Sequence, residues 1–267
     1  MEVIDFVAPQ PPSGKEVTII PLGDIHLGNV NCDKKYLQNT IKWIADHPNT
    51  YVIGMGDYCE NIYGDDRRID IDAMDREIFT PEEQYLKIKQ ILSPIKDKII
   101  VLLTGNHEDT IRKRVGIDMT RRLCYDLGIP YGGICSFVRF GIDGYHSPKL
   151  KIFAHHGYDS GRRLGSKINN VEDLSRSFDA DIYLLGHSHA IGAATSVRIG
   201  IGCRGKFIHK RKVIFGRTGS FLNVYDVGAR NYAEDKCLPP QRIGVIRIDI
   251  YRRPSPYDSL LDIHVRE

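Results

Sequence analysis

The chain has no run of about 18 apolar residues, which excludes an ordinary transmembrane helix. Its first residues, Met1-Glu2-Val3-Ile4-Asp5, have neither a basic start nor an apolar stretch, so no signal peptide is expected. The six cysteines (Cys32, Cys59, Cys124, Cys135, Cys203 and Cys237) form no C-x-x-C pair and no disulfide framework. A reduced, cytoplasmic setting follows as the expectation. No linker rich in Gly, Ser or Pro, no low-complexity tract and no repeat divides the 267 residues, so residues 1–267 read as a single domain. A strong charge of one sign is also missing. The formal net charge is +3 and the pI about 8.4, which permits an anionic substrate without demanding one.

What is present is a run of β-branched strands, each stopped by a polar segment. Val17 to Leu22, Tyr51 to Met55 and Lys98 to Leu103 read as buried strands. Between them, Leu37, Ile41 and Ile44 fall at helical spacing, and Thr80-Pro81-Glu82-Glu83 is a helix start. One helix is expected from about Asp109 to Leu127, closed by Gly128. Strand, polar loop and helix repeat through the first half, which is the α/β pattern. The second half reads as strands at 136–140, 150–154, 181–185, 193–199, 206–215 and 243–251, with one helix near Ser166 to Phe178. This predicts a second, partly antiparallel sheet packed on the first. From Arg252 onward a tail or an edge strand is expected, because Pro254 and Pro256 disfavour a central strand. The charged stretch Asp65 to Glu77 reads as a solvated loop or short helix.

Five segments hold the chemistry: Gly23-Asp24-Ile25-His26, Gly56-Asp57, Gly105-Asn106-His107-Glu108, His155-His156-Gly157 and Gly186-His187-Ser188-His189. Each lies where a strand stops, and in open α/β sheets carboxyl ends of strands are where sites form. Carboxylate, imidazole and one amide suit Mn²⁺, Fe or Zn²⁺ rather than Mg²⁺ alone. A lone D-x-H or G-D is weak. The set of five, each after a strand, is not.

In this order the segments resemble the calcineurin-like metallophosphoesterases, whose pattern is D-x-H, G-D, G-N-H-[ED], H-G and G-H-x-H. The resemblance implies a four-layer αββα sandwich: two mixed β-sheets flanked by helices, with a dinuclear metal site at strand ends. It implies two divalent metal ions, Mn²⁺ foremost, with Fe, Zn²⁺, Ni²⁺ and Mg²⁺ as the other candidates. Asp24, His26 and His189 are implied to hold one ion, Asn106, His156 and His187 the other, and Asp57 to bridge them. The implied nucleophile is a hydroxide between the metals, since binding lowers the pKa of water from ~15.7 toward ~7. His107 is implied to stabilise the phosphoryl oxygens or to protonate the leaving group. Glu108 is expected to fix an imidazole tautomer. The resemblance favours His156 over His155, since the family uses the His directly before Gly, and adjacent strand residues face opposite sides, so only one of the two is expected to ligate.

The implied activity is phosphoester hydrolysis, with a nuclease-like phosphodiesterase first. A small-molecule phosphodiesterase, a phosphomonoesterase and a non-catalytic scaffold are the alternatives. The expected partner is a phosphoester substrate such as DNA or RNA, with no membrane. Arg162 and Arg163, just after the His156 segment, are candidate phosphate contacts. Arg112, Lys113, Arg114, Arg121, Arg122, Lys167, Arg204, Lys206, Lys210, Arg211, Lys212 and Arg217 read mainly as solvated charges. Gly216 to Phe221 reads as a tight turn, and Phe207 to Lys212 as a hairpin tip.

Overall fold

The computed structural model describes residues 1–12, 16–62, 64, 66, 69–144, 149–158, 161–201, 208–225, 232–252 and 261–266. In chain order its elements are β1 (Glu2–Ala8), β2 (Val17–Leu22), α1 (Lys34–Asp46), β3 (Thr50–Gly54), α2 (Pro81–Leu92) and β4 (Ile99–Leu102). Then come α3 (Asn106–Val115), α4 (Met119–Leu127), β5 (Cys135–Ile142), β6 (Leu150–His155), α5 (Leu164–Leu174) and β7 (Ile182–Leu185). The remainder is β8 (Ile191–Ile201), β9 (Ile208–Ser220), α6 (Tyr232–Asp235), β10 (Gly244–Val245), β11 (Arg247–Arg252) and β12 (Leu261–Arg266). Among the described residues no helix is long and apolar enough to cross a membrane.

One sheet runs β12-β11-β2-β3-β4 and the other β1-β5-β6-β7-β9-β10, with β8 paired to β9. Both are mixed. β2, β3 and β4 are parallel while β11 and β12 are antiparallel, and β6, β7 and β9 are parallel while β5 and β8 are not. Strand alternation sorts the core into three layers. Ile19, Ile53 and Val101 of the first sheet meet Phe140, Ile152, Leu184 and Ile214 of the second. Their neighbours Ile20, Leu22 and Val52 face outward onto Leu37, Ile41 and Ile44 of α1 and Tyr85, Ile88 and Leu92 of α2. On the far side Phe153, Tyr183 and Phe215 pack on Val171 of α5. Helix, sheet, sheet and helix are therefore the four layers expected.

Several elements differ from the sequence expectation. The helix expected over 109–127 is two, because Gly116 is left-handed at φ 74° and ends α3, while the Asp118 side chain accepts from Arg121 N–H and starts α4. The turn expected at Gly216 to Phe221 is mostly strand, since β9 runs on to Ser220 between β7 and β10. The two sheets also do not follow the two halves of the chain. β1 joins the second sheet beside β5, and β11 and β12 join the first. The expected edge strand is present as β12. The expected cap of α2 is also seen: Thr80 and Glu83 form a reciprocal capping box, with Pro81 at its start. Cys32, Cys59, Cys124, Cys135 and Cys237 are free thiols. Asp65, Arg67, Arg68, Cys203, Arg204, Lys206, Phe207, Pro254 and Pro256 lie outside the described residues.

Candidate metal centre

All five segments follow strands: Asp24 and His26 follow β2, Asp57 follows β3, Asn106 opens α3 after β4, His156 follows β6, and His187 and His189 follow β7. The backbone there is unusual. Asp24, His26, Asp57, His187 and His189 have φ of 48°, 52°, 51°, 65° and 54°. The left-handed region costs a side-chain-bearing residue roughly 1–3 kcal/mol and persists only when neighbours enforce it. Here Asp24 N–H donates to Gly56 O at 2.9 Å, and Ile25 and His26 N–H donate to Asp57 O at 2.8 and 3.0 Å. Phe221 N–H donates to Asp24 O at 3.0 Å. The loops touch closely enough that a Cβ on Gly105 would lie 2.1 Å from Asp57 Oδ1, and one on Gly56 2.7 Å from His156 Nδ1.

Among the described residues three groups of side chains converge and could hold a metal ion: Asp24, His26 and His189; Asp57, His156 and His187; and His26, Glu60 and His107. His156 Nδ1 meets Met55 O at 2.8 Å. That carbonyl can only accept, so Nδ1 carries a proton and Nε2 presents its lone pair in the neutral ring. The same Nε2 lies 2.9 Å from Asn106 Oδ1 and 3.4 Å from Asp57 Oδ2. Asn106 Oδ1 is also 2.7 Å from His187 Nδ1. On the other side His26 Nδ1 meets Glu60 Oε2 at 3.0 Å, which aims His26 Nε2 at His189 Nε2, 3.1 Å away. Asp57 Oδ2 lies 3.8 Å from His26 Nε2, so this carboxylate faces both groups.

The electrostatics fit a site built for cations. Burial pushes Asp24 up to about 7, with the Asp57 charge adding to it. Burial pushes Asp57 the same way, but the His156, His107 and His26 rings outweigh it and hold Asp57 well below the carboxylate range. Against its own burial, His26 is raised to about 9 by Glu60, and His156 to about 10 by Asp57. Burial and the neighbouring rings depress His187 to about 4 and hold His189 well below the ordinary imidazole value. Buried carboxylates here are balanced by protons on two imidazoles, the positions where a bound cation would supply the charge instead.

His107 is placed differently. Its backbone N–H donates to Asp57 Oδ1 at 2.9 Å, and its Nδ1 lies against Glu60 O. Its ring stands edge-on to His26 at 4.6 Å. Burial lowers its pKa from the ordinary value. His155 is outside the three groups: it is half-buried, and its Nδ1 accepts from Gly157 N–H at 2.8 Å. Arg162 and Arg163 are exposed. Arg162 Nη2 donates to Lys236 O at 3.3 Å, and Arg163 is the residue before α5. The structure does not bring either into the three groups.

Two acids behave otherwise than the sequence suggested. Glu108 holds no imidazole. Its carboxylate accepts from the backbone N–H groups of Tyr58 at 2.8, Asp57 at 2.9, Gly105 at 3.0 and Cys59 at 3.2 Å. Glu60 takes the orienting role instead, on His26, and the sequence reading missed it. Its one signal was a second acid three residues after Asp57 in the Gly56 to Asn61 loop. The basic residues divide as well. Arg112 and Lys113 pair with Asp109, and Arg122 with Glu82, whereas Lys167 and Arg217 are buried rather than solvated.

The family model for calcineurin-like phosphoesterases matches residues 17–190, a span holding all five segments. The chain belongs to that family, and membership makes it a metal-dependent phosphoesterase. Among solved structures it is similar to a Vps29 double mutant from Entamoeba histolytica at 13% identity and a TM-score of 0.42, covering 93% of this chain and 98% of that one. It is also similar to a conserved uncharacterized protein, a predicted phosphoesterase, from Streptococcus pneumoniae TIGR4. There the identity is 13% and the TM-score 0.36, covering 95% of this chain and 100% of that one. No curated protein sequence matches it.

Proposed function

We propose that this phosphoesterase is a phosphodiesterase acting on nucleic acid, with two divalent cations, Mn²⁺ foremost. The observation that carries the reading is the convergence of a full donor set from five separate strand ends on one buried spot. In this reading Asp24, His26 and His189 hold one cation, Asn106, His156 and His187 the other, and Asp57 faces both. When bound, the cations would supply a water deprotonated near neutral pH and would neutralise the phosphoryl oxygens. The chain supplies the rest. Glu60 keeps the His26 tautomer fixed, and Met55 O keeps that of His156. His107 lies beside His26 and Glu60 in the cluster, where it can hand a proton to the departing alkoxide. An anionic phosphoryl group beside it would raise its depressed pKa and load that proton.

A polymeric substrate is supported by exposed cations outside the cluster, Arg162, Arg163 and Lys210 among them. The second reading, a small-molecule phosphodiesterase or phosphomonoesterase, is favoured by a specific observation: Arg112 and Lys113 are already paired with Asp109 and offer little to a backbone of phosphates. A scaffold role is disfavoured by the intact donor set. A cytoplasmic setting fits buried thiols such as Cys32, Cys59 and Cys124, which burial raises far above their ordinary values and leaves unreactive. The test is Mn²⁺-dependent hydrolysis of bis-p-nitrophenyl phosphate, then of single-stranded and duplex DNA, RNA, cyclic nucleotides and phosphomonoesters. Turnover of a diester and of a polynucleotide is expected. Turnover of monoesters alone would move the assignment to the second reading.

A further inference from the structure

Arg217 is fully buried near the C-terminal end of β9, where a charged side chain is expensive. No carboxylate pairs with it among the described residues, and its Nη2 meets no partner at all. Burial lowers its pKa to about 10, so it remains a cation at neutral pH. A group this costly is not explained by stability. Its two contacts explain its place. Arg217 Nε donates to Lys167 O at 2.6 Å, and Nη1 donates to Gly186 O at 3.1 Å. In the sheet it lies between Leu185, the last residue of β7, and Gly192 of β8. The segment joining those two strands is Gly186 to Ala190, which carries His187 and His189. Arg217 therefore sits under the loop that crosses over its own strand.

The loop's backbone groups can be followed one by one. Gly186 O is held by Arg217. His187 N–H is held by both oxygens of Asp24, at 2.9 and 3.1 Å. Ser188 N–H turns back to Gly186 O at 2.7 Å, and Ala190 O takes Gly219 N–H at 3.0 Å. Ser188 O takes the Nζ of Lys167 at 3.0 Å, itself a buried side chain. The carbonyls directly before His187 and directly before His189 are thus each held by a buried cationic side chain. Both histidines are left-handed, at φ 65° and 54°, and strained residues need such anchors.

We propose that Arg217, seconded by Lys167, is a positioning residue that fixes the Gly186 to His189 loop so that His187 and His189 reach the two metal positions. It rests on the metal-centre reading given above. It acts through the loop backbone and touches no substrate.

The test compares Arg217→Met, Arg217→Lys, Lys167→Met and, as a control on the neighbouring strand, Tyr183→Phe, which removes the hydroxyl bonded to Phe178 O and Ala180 N–H. Mn²⁺ binding is measured by calorimetry. Amide hydrogen exchange of residues 187–189 is measured on the metal-free chain, and circular dichroism checks folding. Arg217→Met is expected to weaken Mn²⁺ binding ~10- to 100-fold, the usual scale for a group supporting metal ligands. It should also speed exchange at 187–189, with Arg217→Lys recovering part of both and Tyr183→Phe changing neither. Unchanged affinity and unchanged exchange in folded Arg217→Met would overturn the proposal. If that variant does not fold, Lys167→Met decides on the same two readouts. A wild-type chain that binds no Mn²⁺ counts against the metal-centre reading, whereas the exchange data on metal-free protein test the loop anchor separately.

Discussion

The two sheets deliver their parts of the site by opposite electrostatic means. On the first sheet, the loops after β3 and β4 are drawn together by one anion: Glu108 collects four backbone N–H groups from Asp57, Tyr58, Cys59 and Gly105. On the second sheet, the loop after β7 is held by two cations, with Arg217 and Lys167 collecting the carbonyls of Gly186 and Ser188. The carboxylates Asp24 and Asp57 belong to the first sheet, and His156, His187 and His189 to the second. Each half therefore brings a buried anchor of its own sign, and strained backbone persists only where its neighbours enforce it. Burial has raised Glu108 to about 7, so the anchor of the first half is the one closer to losing its charge.

The largest effect should come from the residue that faces both halves. Asp57→Asn should abolish activity and the binding of both cations together, as read by elemental analysis and by turnover of the diester. Retention of both cations would separate the halves more than the geometry allows.

Next is Glu108→Ala. It leaves four buried N–H groups without an acceptor, and each such group costs about 1–3 kcal/mol, less where water can enter. A loss of roughly 3–5 kcal/mol in urea unfolding is expected. A loss below ~1 kcal/mol would show that water replaces the anchor. His107→Ala should keep both cations and slow turnover ~10²–10⁴-fold. An unchanged rate would remove His107 from the chemistry.

The smallest effect lies far from the site and calibrates the rest. Asp179 is held at about 2 by Arg211 and Lys151, against burial that works the other way. Its folded-state pKa is depressed below the ordinary 3.8. Its contribution is therefore complete above about pH 4 and is lost as pH falls toward 2. Because Asp179 and Lys151 are largely exposed and Arg211 partly so, the contribution should stay below ~1 kcal/mol. Asp179→Asn should flatten the fall in unfolding free energy below pH 4 by that amount. A drop several times larger would mean these charges are shielded from solvent.

Much of the site was legible because metal ligation restricts residue type and strand ends restrict position. Asp24, His26, Asp57, Asn106, His156, His187 and His189 all converge where the strand readings put them. Two packed sheets were legible from apolar runs stopped by polar segments, while the four layers were what the family resemblance implied. What the sequence did not disclose depends on contacts between distant segments. Glu60 shows no local pattern and acquires its role only by meeting His26 across 34 positions. Glu108 sits in a motif, yet its partners are amides, which leave no trace in a sequence. Arg217 and Lys167 look like any surface cations until β9 is threaded between β7 and β8. The break at Gly116 was legible in principle, since glycine at a helix end is a common stop, but the apolar periodicity on both sides obscured it.

Two halves of opposite anchoring charge that assemble one two-cation site should bind two ions or neither. The measurement is calorimetric titration of the metal-free chain with Mn²⁺. Two equivalents are expected to bind to the wild-type chain and none at comparable affinity to Asp57→Asn. No binding by the wild-type chain, or binding that survives Asp57→Asn undiminished, would contradict that expectation.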